Sequence, residues 1–214
     1  MLEDWQTAPV DERTRAALQL VEAMTVRPLE VDAALLGDVR DKGLDDPSIH
    51  HAAAICFHFN LMNRLAGAFG FEVPNARQAW YSGILIPFGA RVVGSAGHLP
   101  AVLGEDGRLR PPAVAQTREV LFDAVGEVDP LRRRCVATRV RGAWSVPDVA
   151  SPELDPATDA YVAKLARHAY RITDEDIEAL RGRGLSDEAI YEITVAGAVE
   201  AASISVESLL AAIN

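Results

Sequence analysis

A segment of this chain occurs twice. Residues 39–49 read Val-Arg-Asp-Lys-Gly-Leu-Asp-Asp-Pro-Ser-Ile, and residues 180–190 read Leu-Arg-Gly-Arg-Gly-Leu-Ser-Asp-Glu-Ala-Ile. Arg, Gly, Leu, Asp and Ile recur in register, Gly43 answering to Gly184. In each copy a short helical stretch runs into the Gly, the residue that most easily takes the left-handed conformation just past a helix. A Leu, an Asp or Ser cap and a long alanine-rich apolar helix follow. A duplicated helix–Gly–helix unit predicts two similar halves packed together, with any site in the groove between the paired long helices.

Local signals fill in the rest. Residues 9–24 place Ala16, Leu18, Leu20, Val21 and Met24 along an amphipathic helical stripe, which Pro28 ends. A short helix is predicted over 31–42. Asp46 as N-cap and Pro47 in the first turn start a long helix over 48–69. Residues 74–104 carry Pro74, Gly83, Pro87, Gly89, Gly94, Gly97, Pro100 and Gly104, so short turns and loop are expected there. The Gly104-Glu105-Asp106-Gly107 turn is the expected boundary between an N-terminal unit, 1–104, and a C-terminal unit, 105–214. Helices are predicted from Pro111-Pro112 to about Val125, over 130–141, over 158–170, from a Thr173–Asp176 capping box to Arg183, and over 188–213. Residues 146–156, with three prolines, read as a linker. Strand alternation is rare and alanine abundant, so the fold class is all-α.

Composition excludes several functions. A net charge of −10 lacks the basic footprint that nucleic acid or an anionic membrane requires. Arg132, Arg133 and Arg134 form a short cluster beside Asp129 and read as solvated surface. The N-terminal residues have no basic segment followed by an apolar run, and no uncharged apolar run reaches the roughly 18 residues that span a bilayer. The most apolar interior stretch, 79–90, is short and broken by Gly83 and Pro87. A cytoplasmic location is therefore expected, with Cys56 and Cys135 as separate reduced thiols.

The run Phe59-Asn60-Leu61-Met62-Asn63-Arg64-Leu65-Ala66-Gly67-Ala68-Phe69-Gly70 resembles the Phe-Asn-x-x-Asn-Arg-x-Ala-x-x-x-Gly signature of alkylhydroperoxidase D-like proteins, within the wider carboxymuconolactone decarboxylase group. The run from His168 through Glu192-Ile-Thr-Val-Ala is similar to the matching second unit. The resemblance covers residues 10–70 and 157–214. It implies an alkylhydroperoxidase D-like fold of two related helical units, assembled as a homo-oligomer. In the family's peroxidases a Cys-x-x-Cys at the start of a buried helix reduces hydroperoxides. An upstream glutamate and a histidine three residues after the second cysteine assist, and a dithiol such as a lipoyl group supplies electrons. Here Glu192 answers to the upstream glutamate, but residues 201–210 contain neither Cys nor His. Without paired thiols a sulfenic acid cannot resolve to a disulfide in the usual way.

Three candidate reactive residues follow: Glu192, His51 and Cys56. Glu192 sits among Val195, Ala196 and Val199, a setting that would raise its pKa for proton transfer if buried. Cys56 and His58 lie two positions apart and point to opposite sides of their helix, so any partner for the thiol would come from His98 or His168. Asn60, Asn63 and Arg64, with His58 nearby, are the candidate ligand contacts. The two Asn share an apolar helical face and need partners if buried, and Arg64 offers a fork for a carboxylate. The alternative is a polar staple between helices. His51 and His58 share a face but stand about 10 Å apart, too far for one metal. No metal or other cofactor is expected. The functional expectations are acid/base chemistry on, or binding of, a small organic acid or lactone; a non-catalytic binding or oligomeric scaffold; or peroxide reduction through an exposed Cys56.

Overall fold

A computed structural model describes residues 5–71, 103, 106–146 and 153–213. The stretch 79–90, most of the punctuated 74–104 region, residues 104–105 of the expected boundary turn, Trp80, His98 and most of the 146–156 linker lie outside the described residues. Among those described, eight α-helices and two 3-10 turns carry the fold, and the one β-feature is an isolated bridge between Leu103 and Leu109. The all-α class holds.

The first half runs α1 (Glu12–Val26), a 3-10 turn (Pro28–Glu30), α2 (Ala33–Asp41) and α3 (Asp46–Ala68). The second runs α4 (Pro111–Asp123), α5 (Pro130–Ala143), α6 (Pro156–His168), a 3-10 turn (Ala169–Arg171), α7 (Asp174–Arg181) and α8 (Asp187–Ile213). Capping explains most starts. Asp11 and Asp32 accept the N–H groups of Thr14 and Leu35, satisfying donors that a helix leaves unpaired. Asp45, not Asp46, caps α3, its Oδ1 2.9 Å from the Ser48 nitrogen. Asp46 instead holds Arg40. The Thr173–Asp176 box forms, Asp176 accepting the Thr173 N–H at 2.9 Å.

The repeat seen in the sequence is present in the backbone. Pro28 and Ala169 open the 3-10 turns, Asp32 and Thr173 cap the next helices, and α3 and α8 begin at Asp46 and Asp187, each pair spaced as Gly43 is from Gly184. Gly43 and Gly184 hold φ of 91° and 81°, which only glycine adopts without strain. Leu44 donates to the Val39 carbonyl at 3.0 Å and Leu185 to that of Leu180 at 3.3 Å, closing the two helix ends alike. Even the side-chain clamps match: Arg40 Nε to Asp46 at 2.8 Å, and Arg181 Nε to Asp187 at 2.9 Å.

The two long helices pack on each other and join two apolar clusters. One gathers α1, α2, α3 and the end of α8; the other gathers α5, α6, α7 and the beginning of α8. α8 is apolar and long enough, by length and composition, to cross a membrane, yet 67% of its most apolar window is buried inside the fold. The halves differ in how their long helices are covered. α4 and α5 lie over α8, where Ala196, Glu200 and Ser203 are all 0% exposed. The equivalent positions of α3 are Ile55, Phe59 and Met62, exposed at 44%, 64% and 52%.

The α4–α5 cover is fastened by charge. Arg118 of α4 grips Glu200 through Nε and Nη2 at 2.9 and 3.0 Å, and Arg141 of α5 reaches the same carboxylate at 2.6 Å. Both arginines also bond Glu207, at 3.0 and 2.6 Å. Two cations and two anions close a neutral box around the buried Glu200, the arrangement a buried carboxylate needs.

Candidate functional site

α3 carries Asn60, Asn63 and Arg64 to the end of α6, where the last-turn carbonyls lack helical partners. Arg64 donates through Nε and Nη2 to the Ala166 carbonyl at 3.3 and 3.0 Å, and through Nη1 to the Asn60 carbonyl and Oδ1 at 2.9 and 3.1 Å. The repeat supplies the reciprocal bond. Ser205, which holds in α8 the place that Arg64 holds in α3, donates to the Met24 carbonyl at the end of α1, at 2.6 Å. Each long helix therefore staples a helix of the opposite half, α3 holding the end of α6 and α8 the end of α1. The polar staple expected as an alternative is real.

Arg64 does more than staple. It borders a cavity of about 340 Å³, whose inner wall is Asn60, Arg64, Trp144, Leu165 and Ala169 and whose rim includes Asn63, Arg167 and His168. Pockets that hold small ligands begin at about this size. Trp144 arrives because α5 ends at Ala143 and the chain turns sharply through Ser145, at φ 58°. Arg167, in the last turn of α6, lays its guanidinium 4.6 Å above the Trp144 ring and donates to the Ala143 carbonyl at 3.1 Å. Gly67 lets the walls meet, since a Cβ there would stand 2.8 Å from the Ala169 carbonyl carbon.

Two donors in the cavity wall stand without partners among the described residues. The Asn60 Oδ1 accepts from Arg64, and its Nδ2 has no partner among the described residues. The Trp144 Nε1 is likewise buried and unpaired among the described residues. Burial pulls the Arg64 guanidinium down to about 10, so it is still charged at neutral pH. Among the described residues no Asp or Glu lines the cavity, in a chain with 31 acidic and 21 basic residues.

No family model, curated protein or solved structure matches the chain. The site must be read from its own geometry.

The candidate reactive residues are not gathered at this cavity. Glu192 faces the α4–α5 loop, where its two oxygens accept the N–H groups of Glu127 and Val128 at 2.8 and 3.0 Å. A Cβ at Gly126 would stand 2.5 Å from the Glu192 Oε1, so a glycine is what lets the loop come this close. His51, the repeat equivalent of Glu192, is exposed on α3 with its Nδ1 2.7 Å from the Pro47 oxygen. His58 pairs similarly with the Ala54 oxygen, at 2.7 Å, and packs edge-on against Phe57. Cys56 is 2% exposed in the core, and burial raises its thiol to about 11 despite a bond to Thr25. Cys135 is half-buried beside a different pocket with Asp129 and Asp155, and both thiols are free.

The arginine cluster departs from the solvated-patch reading. Arg133 is 2% exposed, donates to the Ala124 carbonyl and stands 3.8 Å from Glu192. Arg132 and Arg134 remain surface residues, paired with Asp155 and Asp123. Three consecutive helical residues point about 100° apart, so one of them can be core while its neighbours are not. Neither Trp144, a core or interface anchor by its sequence, nor Arg167 was legible as a site residue. Trp144 had a readable signal, an indole just beyond a helix end, but nothing local tells which helix it will meet. No group of three metal-binding side chains occurs among the described residues.

Proposed function

We propose that this chain is an alkylhydroperoxidase D-like helical scaffold that binds a small organic molecule in the Arg64 cavity and does not run a thiol peroxide cycle. The family reading is supported by the α3 run from Phe59 to Gly70 and by the two helical units that repeat in register. The loss of peroxidase chemistry is supported by Cys56. A thiol near 11 leaves roughly one part in ten thousand as thiolate at pH 7, and the thiolate is the nucleophile. Acid/base chemistry through Glu192 is disfavoured because both of its oxygens are engaged by backbone donors away from the cavity.

One observation carries the binding reading. Of the three buried side-chain donors without a partner among the described residues, two line the same cavity. Native structures rarely leave such groups unmatched unless water or a ligand meets them. The test has two parts. Fully reduced protein challenged with excess hydrogen peroxide should keep Cys56 as a thiol for minutes, by intact mass and peptide mapping. A sulfenic acid or a Cys56–Cys135 disulfide formed within seconds and reversed by a dithiol refutes the redox half. For the binding half, a small-molecule screen followed by NMR should yield ligands that perturb Asn60, Arg64 and Trp144; ligands that consistently map elsewhere refute it.

A further inference from the structure

The cavity has a definite chemical sign. Asn60 and Trp144, exposed at only 5% and 9%, each bring an unpaired donor, and Arg64 brings a positive charge. Arg118 and Arg141 hold Glu200 and Arg133 stands by Glu192, while half-buried Arg15 meets the carbonyls of Gln6, Ala8 and Val10. Arg64 forms no ion pair among the described residues; its partners are an amide oxygen and two carbonyls. We infer that the missing partner is a ligand carboxylate, with Arg64 supplying the charge and the Asn60 Nδ2 and Trp144 Nε1 orienting its oxygens. The inference rests on the proposal that this cavity binds a small molecule.

Four features favour a carboxylate. It only accepts hydrogen bonds, and its two oxygens offer about four lone-pair positions to the unpaired Asn60 Nδ2 and Trp144 Nε1 and to Arg64. Arg64 keeps one Nη2 N–H beyond its bonds to Ala166 and Asn60, enough for a single charge-assisted bond to one carboxylate oxygen. The Ala166 carbonyl at the end of α6 already accepts two Arg64 N–H groups, which takes up both of its lone pairs. The rim agrees as well. Arg167 has no acid partner among the described residues and is steadied on the Trp144 face, whereas Arg27, which occupies the repeat position of His168, is flanked by Glu22 and Glu30 at 3.9 and 3.6 Å. Leu165 and Ala169 give the organic body of the ligand an apolar wall.

The experiment follows the Trp144 indole Nε1–H in ¹⁵N-labelled full-length protein. The chain has three tryptophans, and Trp144→Phe identifies the resonance while keeping a ring beneath Arg167. Two matched probe pairs are titrated, acetate against acetamide and benzoate against benzamide, with inorganic phosphate alongside. Acetate and benzoate should shift the Trp144 indole proton downfield, with the amides at least about tenfold weaker, the discrimination expected of charge-assisted bonds. Asn60→Asp is the second variant, because it removes the unpaired Nδ2 and gives Arg64 an acid of its own. It should fold with an unchanged or higher melting temperature and bind benzoate at least about tenfold more weakly.

Equal binding of acids and amides overturns the carboxylate inference but leaves small-molecule binding standing. Phosphate binding more tightly than benzoate overturns it in favour of an inorganic oxyanion. A folded Asn60→Asp protein with full benzoate affinity overturns it too. If none of the probes moves the Trp144 indole, the carboxylate assignment fails, while the broader screen still decides whether the cavity binds anything.

Discussion

Replacing Glu200 by Gln asks whether charge holds the α4–α5 cover on α8. The substitution keeps size and shape but removes the one anion that is 0% exposed, leaving Arg118 and Arg141 to share Glu207, whose side chain is 34% exposed. Three arginine N–H bonds converge on Glu200, and the amide can offer an acceptor on only one side. Breaking a buried ion pair from one partner costs about 3–5 kcal/mol, and the retained amide oxygen places this case near about 3 kcal/mol. For a chain of this size that is a melting-point drop of about 6–12 °C. Urea unfolding followed by circular dichroism measures it. A loss below about 1 kcal/mol would refute the reasoning and show the box to be incidental. The complementary variant removes both arginines and the buried acid, as Arg118→Met, Arg141→Leu and Glu200→Leu, and leaves only the part-exposed Glu207. It should lie within about 1 kcal/mol of the parent, because well-packed apolar groups commonly match a buried ion pair.

Acid should loosen the N-terminal unit through His50. Its Nδ1 accepts the Leu109 N–H at 3.3 Å, and burial, then Arg108, pulls its pKa below the usual 6.5. The neutral ring is the one the fold accommodates, so this stability is fully present above about pH 6.5 and is lost as pH falls through the lower folded pKa. Subtracting the pH–stability curve of His50→Gln from that of the parent should leave a slope below about pH 6.5, and parallel curves would contradict it. Two glycine substitutions should differ in cost. Gly67→Ala meets rigid backbone at 2.8 Å and should lose about 2 kcal/mol, whereas Gly197→Ala meets the mobile Leu165 Cδ2 at 2.7 Å and should lose about 1 kcal/mol. Denaturation midpoints that rank them in the opposite order would show that α3 can move away from the Ala169 turn.

What could be read from the sequence was what depends on near neighbours. Gly43, Gly184, Asp32 and Thr173 act within a few residues of themselves, so the helix–Gly–helix unit was visible in both halves and its ends fell within a few residues. The one-residue slip from Asp46 to Asp45 shows the limit, since adjacent acids can divide capping and ion pairing between them. Asn60 and Arg64 were found because amides and a guanidinium on an apolar helix face demand an explanation wherever they lie. Glu192 satisfied the same demand differently, with backbone donors from Glu127 and Val128, three α-helices earlier in the chain. Trp144 entered the cavity wall through the packing of α5 on α6, which no local pattern encodes.

The unequal covering of the two long helices makes the molecule its own control for substitution tolerance. Positions 55, 59 and 62 repeat positions 196, 200 and 203 on the same backbone geometry, yet one set is open to solvent and the other is sealed beneath α4 and α5. A saturation library read by folded yield should show the first triplet accepting polar, charged and aromatic residues with effects mostly within about 0.5 kcal/mol. The second triplet should accept little beyond what it has. The contrast at 59 and 200 is sharpest: a phenylalanine can be exchanged freely in one half, while the glutamate facing two arginines in the other cannot. Two stretches that share one backbone rule are thereby released to drift at different rates, set by which neighbours happen to lie on top.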